Sequence, residues 1–417
     1  MGSCCSIQVE CDQKIIEGGT RVILNGSSKH VSMYIQKGTK GTNQDAMTVW
    51  ENFAGEEDTI FCGVFDGHGP RGHKFAQSIR DNLPSKLSTT IKMSQQNVSN
   101  EDDANATNKN TSNDSWEEQF CSSFNQMDEH LAKNVDTDGL CGGCVAITLI
   151  KQGDQLIIGN LGDSRAVLCT KEDDNQLIPI QLSVDMVPDV PSETNRVIKC
   201  GGRVFAAQED PDVKRIWMPE GDCPGLAMSR AFGDFCLKDH GLSSVPDLSY
   251  RKLTKQDEFV VLASDGIWNV LSNDEVINEV ASAPKRSLAA KLLVKRAVKA
   301  WKNKYPFYYV DDCSAICLFL NDEKLNYEAR PSKFVTIATS LVLAQRFSIA
   351  QMVPNSTFEG FGLPNESERS VKFKAQITGP YTIGVERVAQ LVKPVELRKP
   401  VELRVKGVEG PRVHVAR

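Results

Sequence analysis

Apolar runs and their spacing give a first map of the chain. Residues 59–65 form an apolar, partly β-branched run that stops at Asp66-Gly67 and predicts a strand. Residues 145–150 and 155–158 flank Gly153-Asp154 in a hairpin pattern, and 166–169 predict a third strand. Residues 259–263 and 315–320 read as buried strands. Helices are predicted over 72–87, 116–134 and 287–303; in the last, Leu292, Leu293, Arg296 and Ala300 repeat at helical spacing. Residues 94–115, rich in Asn, Ser and Asp, predict a solvated polar loop between two helices. Hairpin strands with long helices between them predict a layered α+β domain.

These signals are dense from 34 to 320. Residues 1–33 predict a variable leader, and 321–417 a poorly structured or accessory tail. The tail holds a tandem duplication, 393–398 followed by 399–404, whose prolines oppose a continuous helix. Two six-residue copies cannot form a solenoid.

Composition narrows the class. With 40% hydrophobic and 24% charged residues among 417, the chain is ordinary globular protein. A net charge of −6 gives no electrostatic case for a nucleic-acid partner. No apolar run approaches the roughly 20 residues of a membrane helix, and 334–344 is stopped by Gln345 and Arg346. There is no charged-then-apolar secretory leader. Thirteen cysteines, an odd count without scaffold spacing, fit a reduced, intracellular protein, and the chain is expected to be monomeric.

The start, Met1-Gly2-Ser3-Cys4-Cys5-Ser6, changes that picture. It fits myristoylation of Gly2. One acyl chain holds a membrane only marginally, and palmitate on Cys4 or Cys5 would supply the second anchor. The expected location is cytoplasmic, including the cytoplasmic face of the plasma membrane, with nuclear presence left open.

Candidate chemistry rests on four aspartates at strand ends or starts: Asp45, Asp66, Asp265 and Asp311. Singly, an Asp in such a place is most often a turn residue. Gathered together, carboxylates repel unless a divalent cation lies among them, and all-oxygen ligands favour Mg²⁺ or Mn²⁺ over zinc. Histidine is too scarce, at six, to suggest a zinc site. The pair Cys141-X-X-Cys144 lacks a second pair at metal spacing and reads as structural and reduced.

Six segments, in order, resemble the metal-dependent protein phosphatase 2C (PPM) family, especially its plant members. They are Lys37-Gly-Thr-Lys-Gly-Thr-Asn-Gln-Asp-Ala46, Val64-Phe-Asp-Gly-His-Gly69, Gly159-Asn-Leu-Gly-Asp-Ser-Arg-Ala166, Gly225-Leu-Ala-Met-Ser-Arg-Ala-Phe-Gly-Asp234, Leu262-Ala-Ser-Asp-Gly-Ile-Trp268 and Asp311-Asp-Cys-Ser314. The resemblance implies a β-sandwich of two antiparallel sheets flanked by helices, with a metal cleft at one end. It also implies hydrolysis of phosphoserine and phosphothreonine proteins by a hydroxide bridging two Mg²⁺ or Mn²⁺ ions. Asp66 then resembles the bridging ligand, the Gly67 carbonyl a ligand to one ion, and Asp265 and Asp311 ligands to the other. Asp45 resembles an outer-shell group holding water, and His68 the general acid for the leaving oxygen. A second-shell histidine steering water or a ligand is the alternative for His68.

Three departures from the family pattern matter. Lys40 stands where many members grip phosphate with Arg; it keeps the charge and loses the two-pronged contact. Asn269 replaces an Asp that would complete a third ion site with Asp163 and Asp265, which puts that ion in doubt. Gly142-Gly143-Cys144-Val145 replaces a Ser-Gly-Thr-Thr-like stretch. Residues about 183–220 resemble the irregular flap beside the cleft. The leading expectation is an active phosphatase; the alternative is a membrane-tethered pseudophosphatase that binds phosphoproteins without turnover.

Overall fold

The computed structural model describes residues 13–16, 19–22, 25–100, 111–135, 141–173 and 175–321. One antiparallel sheet runs, in spatial order, β1 (Gln13–Ile16), β2 (Gly19–Val22), β5 (Asp45–Glu51), β6 (Thr59–His68), β7 (Gly143–Gln152), β8 (Gln155–Leu161) and β15 (Asp247–Lys252). The short β14 (Phe232–Gly233) pairs beside β7. A second sheet runs β10 (Leu177–Gln181), β9 (Arg165–Lys171), β16 (Asp257–Ala263), β17 (Cys313–Phe319), β4 (Val31–Gln36) and β3 (Gly26–Ser27). A small third sheet holds β11 (Arg203–Ala207), β12 (Asp210–Trp217) and β13 (Pro224–Leu226). The helices are α1 (Gly72–Asn100), α2 (Thr111–Asn134), α3 (Pro191–Lys199), α4 (Phe235–Lys238), α5 (Asp265–Trp268), α6 (Asn273–Ala281) and α7 (Ala289–Lys304).

Strand alternation explains the layering. On β6, Ile60, Cys62 and Val64 face the second sheet, where they meet Met33, Val260, Leu262 and Ile316. Phe61 and Phe65 face the other way, into Phe75, Ile79, Leu83 and Phe124 of α1 and α2. On β16, Val260 and Leu262 face the sandwich interior, while Phe259 and Val261 meet Ile277, Leu293 and Val294 of α6 and α7. Both faces of the central strands are therefore buried, which is why they read as continuous apolar runs. The result is the expected α+β sandwich with helices outside two antiparallel sheets.

Several boundaries differ from the sequence reading. The polar segment 94–115 is not a loop throughout: α1 continues to Asn100 and α2 starts at Thr111. Ser94 Oγ and Ser115 Oγ lie 3.3 Å apart, joining the two helices. Within the leader 1–33, β1, β2, β3 and the start of β4 are strands. The flap is not irregular: α3, β11 and β12 order it around Val197, Ile216 and Leu226. Cys141 is not reduced but disulfide-bonded to Cys236, 95 residues away, while Cys144 is a buried free thiol. The antiparallel pairing of β14 with β7 brings Cys236 to Cys141, a contact that the Cys141-X-X-Cys144 spacing does not reveal. Among the described residues, no helix is long and apolar enough to cross a membrane. Gly2, Cys4, Cys5 and the tail 322–417 lie outside the described residues.

Candidate active site

Strand pairing assembles the acidic cluster. In the β5–β6 pair Asp45 stands opposite Asp66, at the end of the sandwich. Asp265 opens α5 directly after β16, and Asp311 precedes β17, which is hydrogen-bonded to β16. Asp163 sits in the turn between β8 and β9. Five carboxylates from five segments are thereby drawn towards one place.

Their electrostatics show how close they lie. Asp66 is pushed well above the usual carboxylate range by burial and by the charges of Asp45, Asp265, Asp311 and Asp163. Asp45 and Asp163 are each pushed up to about 7, in both cases mainly by burial. For Asp45 the Ser314 and Ser264 hydroxyls pull back, and Asp312 and Asp265 add repulsion. Asp265 is also raised, by burial and by Asp311, against a hydrogen bond with Asp66.

The lysine predicted to grip phosphate lies on a carboxylate. Lys40 Nζ is 2.5 Å from Asp311 Oδ2, with its side chain half exposed. Its pKa is raised: burial opposes the charge, but Asp311 and then Asp265 and Asp66 favour it. Two hydrogen bonds position the loop carrying it, Thr39 N–H to Val310 O and Thr39 Oγ accepting from Val310 N–H, both 2.8 Å. Asp312 completes the clip, accepting from the N–H groups of Gly38 at 2.7 Å and Gln44 at 2.8 Å. Both of its carboxylate oxygens are thereby committed to the loop.

His68 meets a partner that sequence reasoning missed. Its Nε2 lies 2.5 Å from Asp234 Oδ2, and Asp234 is 2% exposed. Burial works against the imidazolium, but the Asp234 carboxylate outweighs it and the pKa is raised. Asp234 closes the fourth motif, so its presence was visible in sequence while its partner was not. The strand of Gly142 and Gly143 makes room for the pair: a Cβ on Gly143 would lie 2.4 Å from Asp234 Oδ2 and 3.1 Å from His68 Nε2. Gly67 is equally constrained, since a Cβ there would fall 2.3 Å from Gly72 O at the start of α1.

The donor set suits a hard divalent cation in kind. Its oxygens are carboxylate and carbonyl, Lys40 and His68 offset only part of its negative charge, and buried Asp45 Oδ1 has no hydrogen-bond partner. The side chains do not already converge: no group of three His, Cys, Asp or Glu stands ready to clasp an ion among the described residues. They rest on protein donors, Asp311 on Lys40, Asp265 on the Asn269 amide at 2.8 Å, and Asp45 Oδ2 on Ser264 Oγ at 2.8 Å. Asn269 thus turns a donor towards Asp265, opposite to what a shared third ion requires.

A layered antiparallel sandwich with an acidic cleft and a buried His–Asp pair at its end defines a phosphatase-like hydrolase class. The sequence profile of protein phosphatase 2C matches residues 30–302, and the chain belongs to that family. It is 50% identical over 334 residues to probable protein phosphatase 2C 65 of Arabidopsis thaliana, covering 78% of this chain and 86% of that one. It is 47% identical over 350 residues to probable protein phosphatase 2C 18 of the same plant, covering 74% and 69%. The fold is shared with the serine-threonine phosphatase 2C of Toxoplasma gondii at TM-score 0.63 and 23% identity, covering 73% of this chain and all of that one. The chain is therefore a plant-type, metal-dependent protein serine/threonine phosphatase.

Proposed function

We propose that catalysis in this phosphatase is carried by Asp66, His68 and Lys40, with two Mg²⁺ or Mn²⁺ ions held by Asp66, the Gly67 carbonyl, Asp265 and Asp311. The observation that carries this reading is that five segments bring partly or fully buried carboxylates to one end of the sandwich, with Asp45 paired opposite Asp66 and Asp265 and Asp311 flanking the paired strands β16 and β17. Bound ions supply an acidified water as nucleophile and offset charge on the phosphoryl group. Asp45, steadied by Ser264, stands one strand away from Asp66 and holds water for that set. Lys40 offers its ammonium to the phosphate oxygens. His68, kept protonated by Asp234, donates a proton to the departing serine or threonine oxygen. Asp163 remains near the cluster, but Asn269 beside Asp265 disfavours a third ion. The pseudophosphatase alternative is not favoured, because none of the principal acidic residues is replaced.

The test is hydrolysis of a phosphothreonine peptide titrated with Mg²⁺ and Mn²⁺. Turnover should require the metal, stop with chelator and fall at least about 10³-fold in Asp66→Asn, as expected when a preorganised charged group is lost. Asp66→Asn also removes one charge from the cluster, so the metal-free variant should melt no lower than the parent. Activity that persists in Asp66→Asn would remove that residue from the assignment.

We further propose that the enzyme acts as a monomer and is tethered to the cytoplasmic membrane face by acylation of Gly2 with Cys4 or Cys5. Lipid chains on adjacent residues would give the two anchors that stable attachment needs. Gly2→Ala should shift the protein from membrane to cytosol in cell fractions; an unchanged distribution refutes the anchor.

A further inference from the structure

Three consecutive aromatic side chains stand in solvent beside the cleft. Phe307 is 95% exposed, Tyr308 76% and Tyr309 69%. Burial of such rings is a main source of core and interface stability, so an unshielded row marks an interaction site. The row ends two residues before Asp311, and its neighbour Val310 is bonded to the Lys40 loop through Thr39. Along an extended backbone, Phe307 lies within about 14 Å of Asp311.

The helix that leads into this row is basic on its outer face. Over 16 residues α7 carries Lys291, Lys295, Lys299, Lys302, Lys304 and Arg296 and no acid. Lysines 291, 295, 299 and 302 recur at steps of four, four and three, which places them on one stripe. Arg296 is neutralised by Glu275 and Glu279, Lys291 lies over the Tyr34 ring, and Lys304 binds Asn269 O. Lys295, Lys299 and Lys302 are exposed and have no carboxylate partner among the described residues. From Lys302 back to Lys295 the stripe runs about 10 Å along the helix. Trp301, Tyr305 and Tyr308 join helix and loop in one ring ladder, with centroids 5.2 and 6.2 Å apart.

We infer that the 307–309 loop and the Lys295–Lys299–Lys302 stripe form a docking surface for an acidic segment of the phosphoprotein substrate. This rests on the phosphatase reading above. The rings contact the chain close to the phosphoresidue, and the lysines engage Asp or Glu some four to ten residues further along. Charge complementarity favours this occupant: the molecule as a whole is acidic, yet this face presents three exposed lysines without a carboxylate partner among the described residues. Such a surface selects among phosphoproteins by their flanking sequence and speeds encounter more than it tightens binding.

The test uses the full chain and two phosphothreonine peptides, alike within three residues of the phosphothreonine. Beyond that, one carries Asp and Glu at four to ten residues and the other Asn and Gln. Turnover at low salt should favour the acidic peptide about tenfold in kcat/KM, and the preference should shrink in 0.5 M salt, where the screening length is only about 4 Å. The triple variant Lys295→Gln, Lys299→Gln, Lys302→Gln should lose the preference while turning over the neutral peptide at the parental rate. Phe307→Ser should reduce it as well. Equal rates in the parent, or a preference that survives the triple variant, overturn the proposal. A fluorescent, unphosphorylated acidic peptide titrated by anisotropy decides the docking surface without any turnover. A protein that hydrolyses neither peptide would sink the phosphatase assignment and leave that binding result standing. Lysine-dependent binding to phosphatidylserine vesicles without a peptide preference would assign the surface to lipid and overturn the proposal.

Discussion

At the residue scale, the His68–Asp234 pair carries a consequence specific to the leaving group. A buried carboxylate that holds an imidazolium keeps its proton available and its ring oriented. In Asp234→Asn the turnover of a phosphothreonine peptide should fall about 10- to 100-fold, within the usual range for acid catalysis. Hydrolysis of p-nitrophenyl phosphate should fall much less, because its leaving oxygen needs no proton. Equal losses on both substrates would place the role of Asp234 elsewhere. His68 was legible from its position two residues after Asp66, but Asp234 is 166 residues distant and only the β14–β7 pairing joins them. Asp312 was obscured for a related reason: its oxygens bind backbone N–H groups of Gly38 and Gln44, and sequence carries no mark of that.

At the element scale, strands buried on two faces and the bodies of α1 and α2 were legible, and only the facing polar ends of those two helices were not. The Asn- and Ser-rich stretch of α1 and α2 has weak intrinsic helix preference. The helices are fixed by packing further back, where Leu83, Leu87 and Ile91 of α1 share a cluster with Phe120 and Phe124 of α2, and their polar ends extend from it. The flap was irregular only by family resemblance, whereas Pro191 occupies the first position of α3, where proline favours a helix. Glu193, 1% exposed, then locks α3 to the segment leading to Asp234. It accepts paired bonds from Arg196 at 2.6 and 2.7 Å and from Arg230 at 2.9 and 3.0 Å, and one from Ser229 Oγ. Burial opposes the Glu193 charge, but the Arg230, Arg196 and Ser229 bonds prevail and hold its pKa at about 2, below its ordinary value of 4.5. A depressed carboxylate stabilises fully above its unfolded pKa, so this contribution should fade as pH falls from about 4.5 through 2. Glu193→Gln strands two arginines and should cost about 3–5 kcal/mol at neutral pH, measured by urea denaturation. A variant as stable as the parent would mean that solvent already screens the cluster.

For the whole molecule, the α+β class was legible because strand and helix periods differ so plainly. Which strands pair was not, since pairing is settled by contacts between distant segments. The second sheet makes the point: its interior pair β17–β4 joins Cys313–Phe319 to Val31–Gln36, near the two ends of the described domain. A chain ended at residue 305 lacks β17 and leaves β4 and β16 facing each other across a missing strand. It should be insoluble or inactive, whereas a chain ended at residue 325 should keep metal-dependent turnover, as checked by solubility and phosphopeptide hydrolysis. An inactive 325-residue chain would show that the tail contributes to catalysis.

That closure also sets when the enzyme can begin to work. Lys40 leaves the ribosome early, but the strand that follows Asp311 comes some 270 residues later, on the order of tens of seconds at ordinary elongation rates. Until then the cleft has only one wall, and the nascent chain cannot dephosphorylate anything near it. Each copy of the enzyme therefore begins to dephosphorylate only after its own synthesis has passed that last strand.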